Sequence, residues 1–177
     1  MKRALLILAS WVTLFNASFA HADELWLGVT DHGVNTPFTL ETGENGADIQ
    51  GGWRGKRIDG LSFIGSPSPY ILASASTDGE TSFAAIGISW KIGSKVYIRP
   101  GIGLAIHDGP IPRGRPGEQR TDLGSRILFE PEIALGVQIN ESLSAEASWV
   151  HISNAGILSR QNPGLDVIGA RLVLRLK

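Results

Sequence analysis

The chain has 177 residues, a net charge of −1 from 16 Lys+Arg against 17 Asp+Glu, and no cysteine. This balance argues against nucleic acid as a bulk electrostatic partner, and the cysteine count excludes a disulfide framework and thiolate chemistry. With 22 glycines, 5 tryptophans and no helix-period stretch of useful length, the composition points to β-structure with tight turns.

The first residues read as a targeting segment. Lys2 and Arg3 precede a largely apolar run from Ala4 to Phe15, and Ala20-His21-Ala22 forms a small-residue cleavage site ahead of Asp23-Glu24. This predicts a secretory signal peptide over residues 1–22 and a single domain over 23–177. No later apolar run approaches the ~20 residues that a spanning helix requires.

Eight strands are predicted in chain order: Leu25–Thr30, Ala47–Arg54, Ser68–Thr77, Thr81–Ile92, Val96–His107, Leu123–Ile139, Ser142–Asn154 and Leu165–Leu176. Turn chemistry at Asp78-Gly79, Gly93-Ser94-Lys95 and Asn140-Glu141 separates several of them. Longer Gly-, Pro- and Asn-containing loops occupy 33–46, 108–122 and 155–164. Pro112–Arg120 makes the middle loop basic, and it is expected to be solvated.

Side chains alternate between the two faces of a strand. In the sixth strand Ile127, Phe129, Ile133, Leu135, Val137 and Ile139 share one face, and Arg126, Glu130, Glu132 and Gln138 share the other. In the eighth, Ile168, Ala170, Leu172, Leu174 and Leu176 oppose Arg171 and Arg175. Alternation does not itself say which face is inside. The apolar stripes are as long as the ~9–11 residues of a tilted transmembrane strand. The charged faces mix signs, so Glu130, Glu132 and Glu146 can pair with Arg99, Arg126, Arg171 and Arg175. Together with the secretory signal, this predicts an all-β fold: an eight-stranded antiparallel transmembrane β-barrel of a bacterial outer membrane, apolar outside and ionic inside. A secreted soluble barrel or sandwich with the stripes as its core is the alternative. With a periplasmic amino terminus, the turns at 93–95 and 140–141 fall inside and the three long loops outside.

The candidate chemistry sits at the end of the seventh strand. His151 and Ser153 share a face with Trp149, Ala147, Ala145 and Leu143, so a base and a nucleophile lie on an otherwise apolar surface. A serine hydroxyl needs a neighbouring base to become nucleophilic, and a third group normally orients the histidine. Asp166 opens the eighth strand with the parity of Ile168 and Ala170. The hairpin joining the two strands sets it directly or diagonally across from His151 or Ser153. The four histidines are scattered, which predicts no metal site, and no cofactor is implied.

The motif His151-Ile152-Ser153-Asn154, the turn Asn162-Pro163-Gly164 and the segment Leu123-Gly124-Ser125-Arg126-Ile127-Leu128-Phe129-Glu130-Pro131-Glu132 together resemble the lipid A 3-O-deacylases of outer membranes. The resemblance is strongest over 123–176. It implies a serine esterase that hydrolyses the ester-linked 3-O-acyl chain of lipid A without a metal. His151 would be the base, Ser153 the nucleophile and Asp166 the acid, where the family typically has a glutamate four residues after the loop asparagine. Asn162 would help to hold the oxyanion, with Gly164 in the same turn, and Asn154 would order the loop. Lipid A or lipopolysaccharide, the outer membrane and a second copy in a homodimer are the expected partners, and nucleic acid is not. The competing class is a non-enzymatic outer-membrane barrel with a structural or partner-binding role.

Overall fold

A computed structural model describes residues 22–39, 42–111 and 120–176. Of the predicted signal peptide, residues 1–22, all but Ala22 lies outside the described residues, as does most of the basic loop, 112–119. The strands are β1 (Ala22–His32), β2 (Ala47–Gly55), β3 (Ser68–Ser76), β4 (Phe83–Ser89), β5 (Ile92–Gly93), β6 (Val96–His107), β7 (Ile127–Gln138), β8 (Leu143–Ile152) and β9 (Leu165–Arg175). β5 is a two-residue continuation of β4 beyond Trp90-Lys91, and both pair with β6. Every pairing is antiparallel, β1 meets β9, and β4 meets β6. The sheet therefore closes into an eight-stranded barrel with no free edge, the condition for strands to span lipid.

Burial decides which face is inside. The apolar stripe points outward: Ile133 is 44% exposed, Leu172 56% and Ile86 64%. The charged stripe points inward, with Glu130, Glu146 and Arg171 all buried. A soluble barrel with these stripes as its core is thereby excluded. The buried apolar side chains, among them Leu72, Leu128, Ile152 and Val167, belong to the opposite, inward face, beside the ionic residues, and the outward stripe is that of a membrane barrel. Trp53, Phe63 and Trp90 lie towards one rim, while Phe38 and Trp149 lie at the other. Aromatic side chains favour such interfacial depths.

Three glutamates and three arginines form a closed alternating ring in the lumen. Glu24 accepts from Arg54 Nη1 at 2.7 Å and Arg99 Nη2 at 2.9 Å. Glu146 accepts from Arg99 Nε at 3.1 Å and Arg171 Nε at 2.7 Å. Glu132 accepts from Arg171 Nη1 at 3.0 Å and lies 3.9 Å from Arg54 Nη2. Each charge thus faces two of opposite sign, which offsets the cost of removing six ions from water. Trp26 lies beneath two of the guanidinium groups, 4.7 Å from Arg54 and 5.2 Å from Arg171. Tyr97 OH adds a bond to Glu146 at 2.8 Å. Its ring occupies space that any side chain at Gly136 would take, since a Cβ there would fall 2.2 Å from the ring.

The ion pairs differ from those the sequence suggests. Arg126 meets no carboxylate among the described residues. It donates to the carbonyls of His107 at 2.6 Å and Gly109 at 2.8 Å. Glu130 accepts from Tyr70 rather than from an arginine, and Arg175 lies 4.0 Å from Glu24. The strand predicted from Leu123 begins at Ile127. Gly124 has φ +79°, a left-handed conformation, and its preceding carbonyl accepts from Asn154 Nδ2 at 2.8 Å, so the segment joins the loops instead. The connection 56–67 is longer than a tight turn and holds a 3-10 turn over Asp59–Ile64, docked by Trp90 Nε1 on the Ile64 carbonyl at 2.7 Å.

At the long-loop rim, Glu44 joins three loops. It accepts from His32 Nε2 at 2.9 Å, from Thr81 N and Oγ1 at 2.9 Å each, and from Thr121 N at 2.5 Å. Burial alone would raise its pKa, but the bonds from His32, Thr81 and Thr121 outweigh burial and hold it below the usual carboxylate range. His32 also bonds Asp48 at 2.8 Å, fastening this junction to the barrel wall.

Candidate active site

Cross-strand register brings the histidine and the acid together. His151 and Asp166 are direct partners in the β8–β9 ladder, and His151 Nδ1 lies 2.7 Å from Asp166 Oδ1. An ionised carboxylate only accepts, so Nδ1 carries a proton, and in the neutral imidazole Nε2 then keeps its lone pair. Among the described residues Nε2 makes no hydrogen bond, and the ring is half-buried. The imidazole can therefore accept a proton on the side away from Asp166.

Asp166 has the outward parity of Ile168 and Ala170 but is fully buried, because the loop after β1 folds over it. Its Oδ1 also accepts from Trp149 Nε1 at 2.8 Å. Its Oδ2 accepts from Thr36 Oγ1 and Thr39 Oγ1. Four donors thus occupy a group with about four lone-pair sites. The same loop places Val34 N on the Asp166 carbonyl at 3.0 Å and Phe38 against the Trp149 ring, centroids 5.4 Å apart. Sequence inspection does not single out Thr36 or Thr39. The signal is barrel closure: His32 pairs with Val167, so the loop leaving β1 must begin beside Asp166.

Ser153 follows β8 and is held by a bridge to Phe129, with Phe129 N donating to its carbonyl at 2.7 Å and its own N–H returning a bond at 3.0 Å. The residue is 7% exposed, and its hydroxyl makes no hydrogen bond among the described residues. Ser153 and His151 therefore lie at the same strand end without a bond between their side chains. Asn154 is fully buried and committed to the loops. Its Nδ2 donates to the carbonyls of Leu123 at 2.8 Å and Gln161 at 2.6 Å, and its Oδ1 accepts from Gly156 N at 2.9 Å. Asn162 Oδ1 accepts from Asn154 N at 2.9 Å. This turns its amide so that Nδ2 is left without an acceptor among the described residues.

Gly164 completes the wall beside the imidazole. Its φ is +73°, and a Cβ there would lie 2.8 Å from His151 Cε1. Gly164→Ala is expected to push the ring aside and lower turnover by on the order of 10²-fold while the barrel still forms, since a shift of about 1 Å can cost that much. Kinetics on folded variant, with heat-modifiable gel mobility as the folding control, checks this. Among the described residues no cluster of three or more His, Asp or Glu side chains could hold a metal.

A closed barrel, apolar outside and ionic inside, with a carboxylate-braced histidine at its long-loop rim, belongs to the outer-membrane barrels. A family model described as lipid A 3-O-deacylase (PagL) matches residues 25–175. The chain belongs to this family of outer-membrane enzymes, and its location is the outer membrane. The crystal structure of the outer membrane enzyme PagL is similar, with TM-score 0.61 and 20% identity over 86% of this chain and 99% of that one. Two further barrels match at lower scores. A de novo designed transmembrane β-barrel has TM-score 0.48 and 9% identity, covering 88% of this chain and 97% of its own. The Yersinia pestis outer membrane protein Ail has TM-score 0.47 and 11% identity, covering 87% and 99%. No curated sequence relative matches. The homodimer expected from the sequence finds no support in the family match or in the PagL structure.

Proposed function

We propose that this protein hydrolyses the 3-O-linked acyl ester of lipid A by acyl transfer through Ser153. The observation that carries the reading is the Asp166–His151 bond beside an unbonded serine hydroxyl at the barrel rim. His151 Nε2 takes the Ser153 proton as Oγ attacks the ester carbonyl, and Asp166 stabilises the imidazolium that forms. The oxyanion is held by Asn162 Nδ2 and by backbone N–H groups of the Asn162–Gly164 turn. His151 then returns the proton to the departing sugar 3-hydroxyl, leaving the acyl group on Ser153. Water, activated by the same imidazole, releases the fatty acid. The mature protein of this reading spans 23–177, with residues 1–22 removed on export.

Because the site lies on the lipid-facing side of the wall, the substrate reaches it laterally. Its ester lies at headgroup depth and its acyl chains lie along the apolar exterior. A fluorophosphonate probe tests the nucleophile. Ser153 is expected to be labelled in wild type and unlabelled once His151 is alanine. Labelling elsewhere, or labelling independent of His151, would remove Ser153 from the reaction.

Thr36 and Thr39 act in this scheme by holding Asp166. Replacing both with valine keeps their shape and removes two of the four donors. The expected result is a fall in kcat of about 10- to 100-fold with little change in KM, since one hydrogen bond to a charged group contributes roughly 1.5–3 kcal/mol and His151 and Trp149 still hold the carboxylate. Serine at both positions should retain most of the activity.

A further inference from the structure

We infer that the short-turn rim of the barrel holds a binding site for a phosphate oxyanion, separate from the esterase site at the opposite end. A cavity of about 770 Å³ opens there, bounded by the start of β1, the 56–67 connection, the 90–95 turn and the end of β9. Its charged lining consists of Glu24, Arg54, Arg57, Lys91, Arg99 and Arg175.

The charge accounting is what points to an anion. Arg54 and Arg99 belong to the luminal ring, where three arginines meet three glutamates and their charges cancel. Glu24, the one acid of the lining, is already shared by both. Among the described residues, Arg57, Lys91 and Arg175 are therefore left in excess around one opening. Asp59 and Glu141, two further acids of the same rim, do not line the cavity and make no ion pair among the described residues.

These cations are placed but not neutralised. Arg57 is fixed by two backbone carbonyls, Ser66 at 3.1 Å and Gly65 at 3.0 Å, and its Nη1 makes no hydrogen bond among the described residues. To present them the chain holds Ser66 at φ +50°, a conformation unfavourable for a non-glycine residue. Lys91 rests over the Tyr97 ring, 4.0 Å from its centroid, and its ammonium makes no hydrogen bond or ion pair among the described residues. Arg175 reaches Glu24 only at 4.0 Å. Deeper in the lining, the buried Arg54 Nη2 makes no hydrogen bond and has only the ion pair with Glu132 at 3.9 Å. Guanidinium forks and an ammonium converging on one opening favour a tetrahedral phosphate, which accepts from several donors at once. Short turns face the periplasm in bacterial barrels. The phosphate therefore comes from the periplasmic side, either free in solution or on a phospholipid headgroup of the inner leaflet.

The test uses full-length mature protein folded in maltoside micelles, which contain no phosphate, with the Trp90 indole N–H signal as reporter. In one arm inorganic phosphate is titrated at constant ionic strength. In the other, short-chain phosphatidylglycerol, a phosphodiester, is titrated into the same micelles, with a short-chain diacylglycerol, which carries no phosphate, as the control. Saturable movement of the Trp90 signal is expected in at least one arm and identifies the source. The double variant Lys91→Gln/Arg175→Gln is expected to weaken it at least 10-fold, while lipid A deacylation is unchanged because both residues lie at the far rim. No saturable response in either arm, or an equal response in the folded double variant, would overturn the site.

Discussion

Alanine at Ser153 is expected to remove lipid A deacylation, by on the order of 10⁴–10⁶-fold in turnover, with the barrel still folded and inserted. The same holds for His151→Ala. Neither side chain supports the fold. Ser153 is held through its backbone to Phe129, and the imidazole contributes a single bond to Asp166. Asp166→Asn should be nearly as damaging, at about 10²–10⁴-fold, although its shape is almost unchanged. Its amide oxygen can still accept from His151 and Trp149, and the Thr36 and Thr39 hydroxyls can rotate to accept from its NH₂. What is lost is the negative charge that stabilises the imidazolium in the transition state. Purified variants assayed on lipid A in detergent at equal folded fraction decide this. Full activity in Asp166→Asn would mean that another group supports the histidine.

Arg171→Ala is the substitution expected to harm stability most. Arg171 bridges Glu132 and Glu146 inside the lumen, at 3.0 and 2.7 Å. Removing it leaves two buried carboxylates each with one arginine fewer and takes away the cation resting against Trp26. Breaking a buried ionic network from one side typically costs about 3–5 kcal/mol. Denaturant unfolding in lipid vesicles should show that loss, whereas Arg175→Ala at the exposed rim should change stability by less than about 0.5 kcal/mol. Combining Arg171→Ala with Glu146→Ala should recover part of the deficit, because the second change removes one of the stranded charges.

The faces of the barrel were legible because alternation is a local property. Ile133 and Leu172 against Glu130 and Arg171 can be read from neighbouring residues, and the predicted secretory start and the long stripes then decide which face meets lipid. The His151–Asp166 pair was legible for a related reason, since one hairpin sets its register. Contacts made by closure were not legible. Thr36 and Thr39 reach Asp166 across 130 and 127 residues of sequence, through the meeting of the first and last strands. The same closure brings Glu24 into the luminal ring, and Arg54 joins it from β2, so pairing rules drawn from the later strands alone offered Arg126 carboxylates that it does not meet among the described residues. The start of β7 was misplaced because Leu123 looks like a strand residue, whereas the bonds of Asn154 and the conformation of Gly124 draw it into the loops.

The most direct test of the account is the mass of lipid A before and after incubation with the purified, folded protein. Hydrolysis at the proposed site predicts loss of one 3-O-linked acyl chain, recovery of that chain as free fatty acid, and neither change with Ser153→Ala. Unaltered lipid A, loss of a chain from another position, or equal loss with the alanine variant would contradict it. The first of these results would return the protein to the class of barrels whose role is structural or lies in binding.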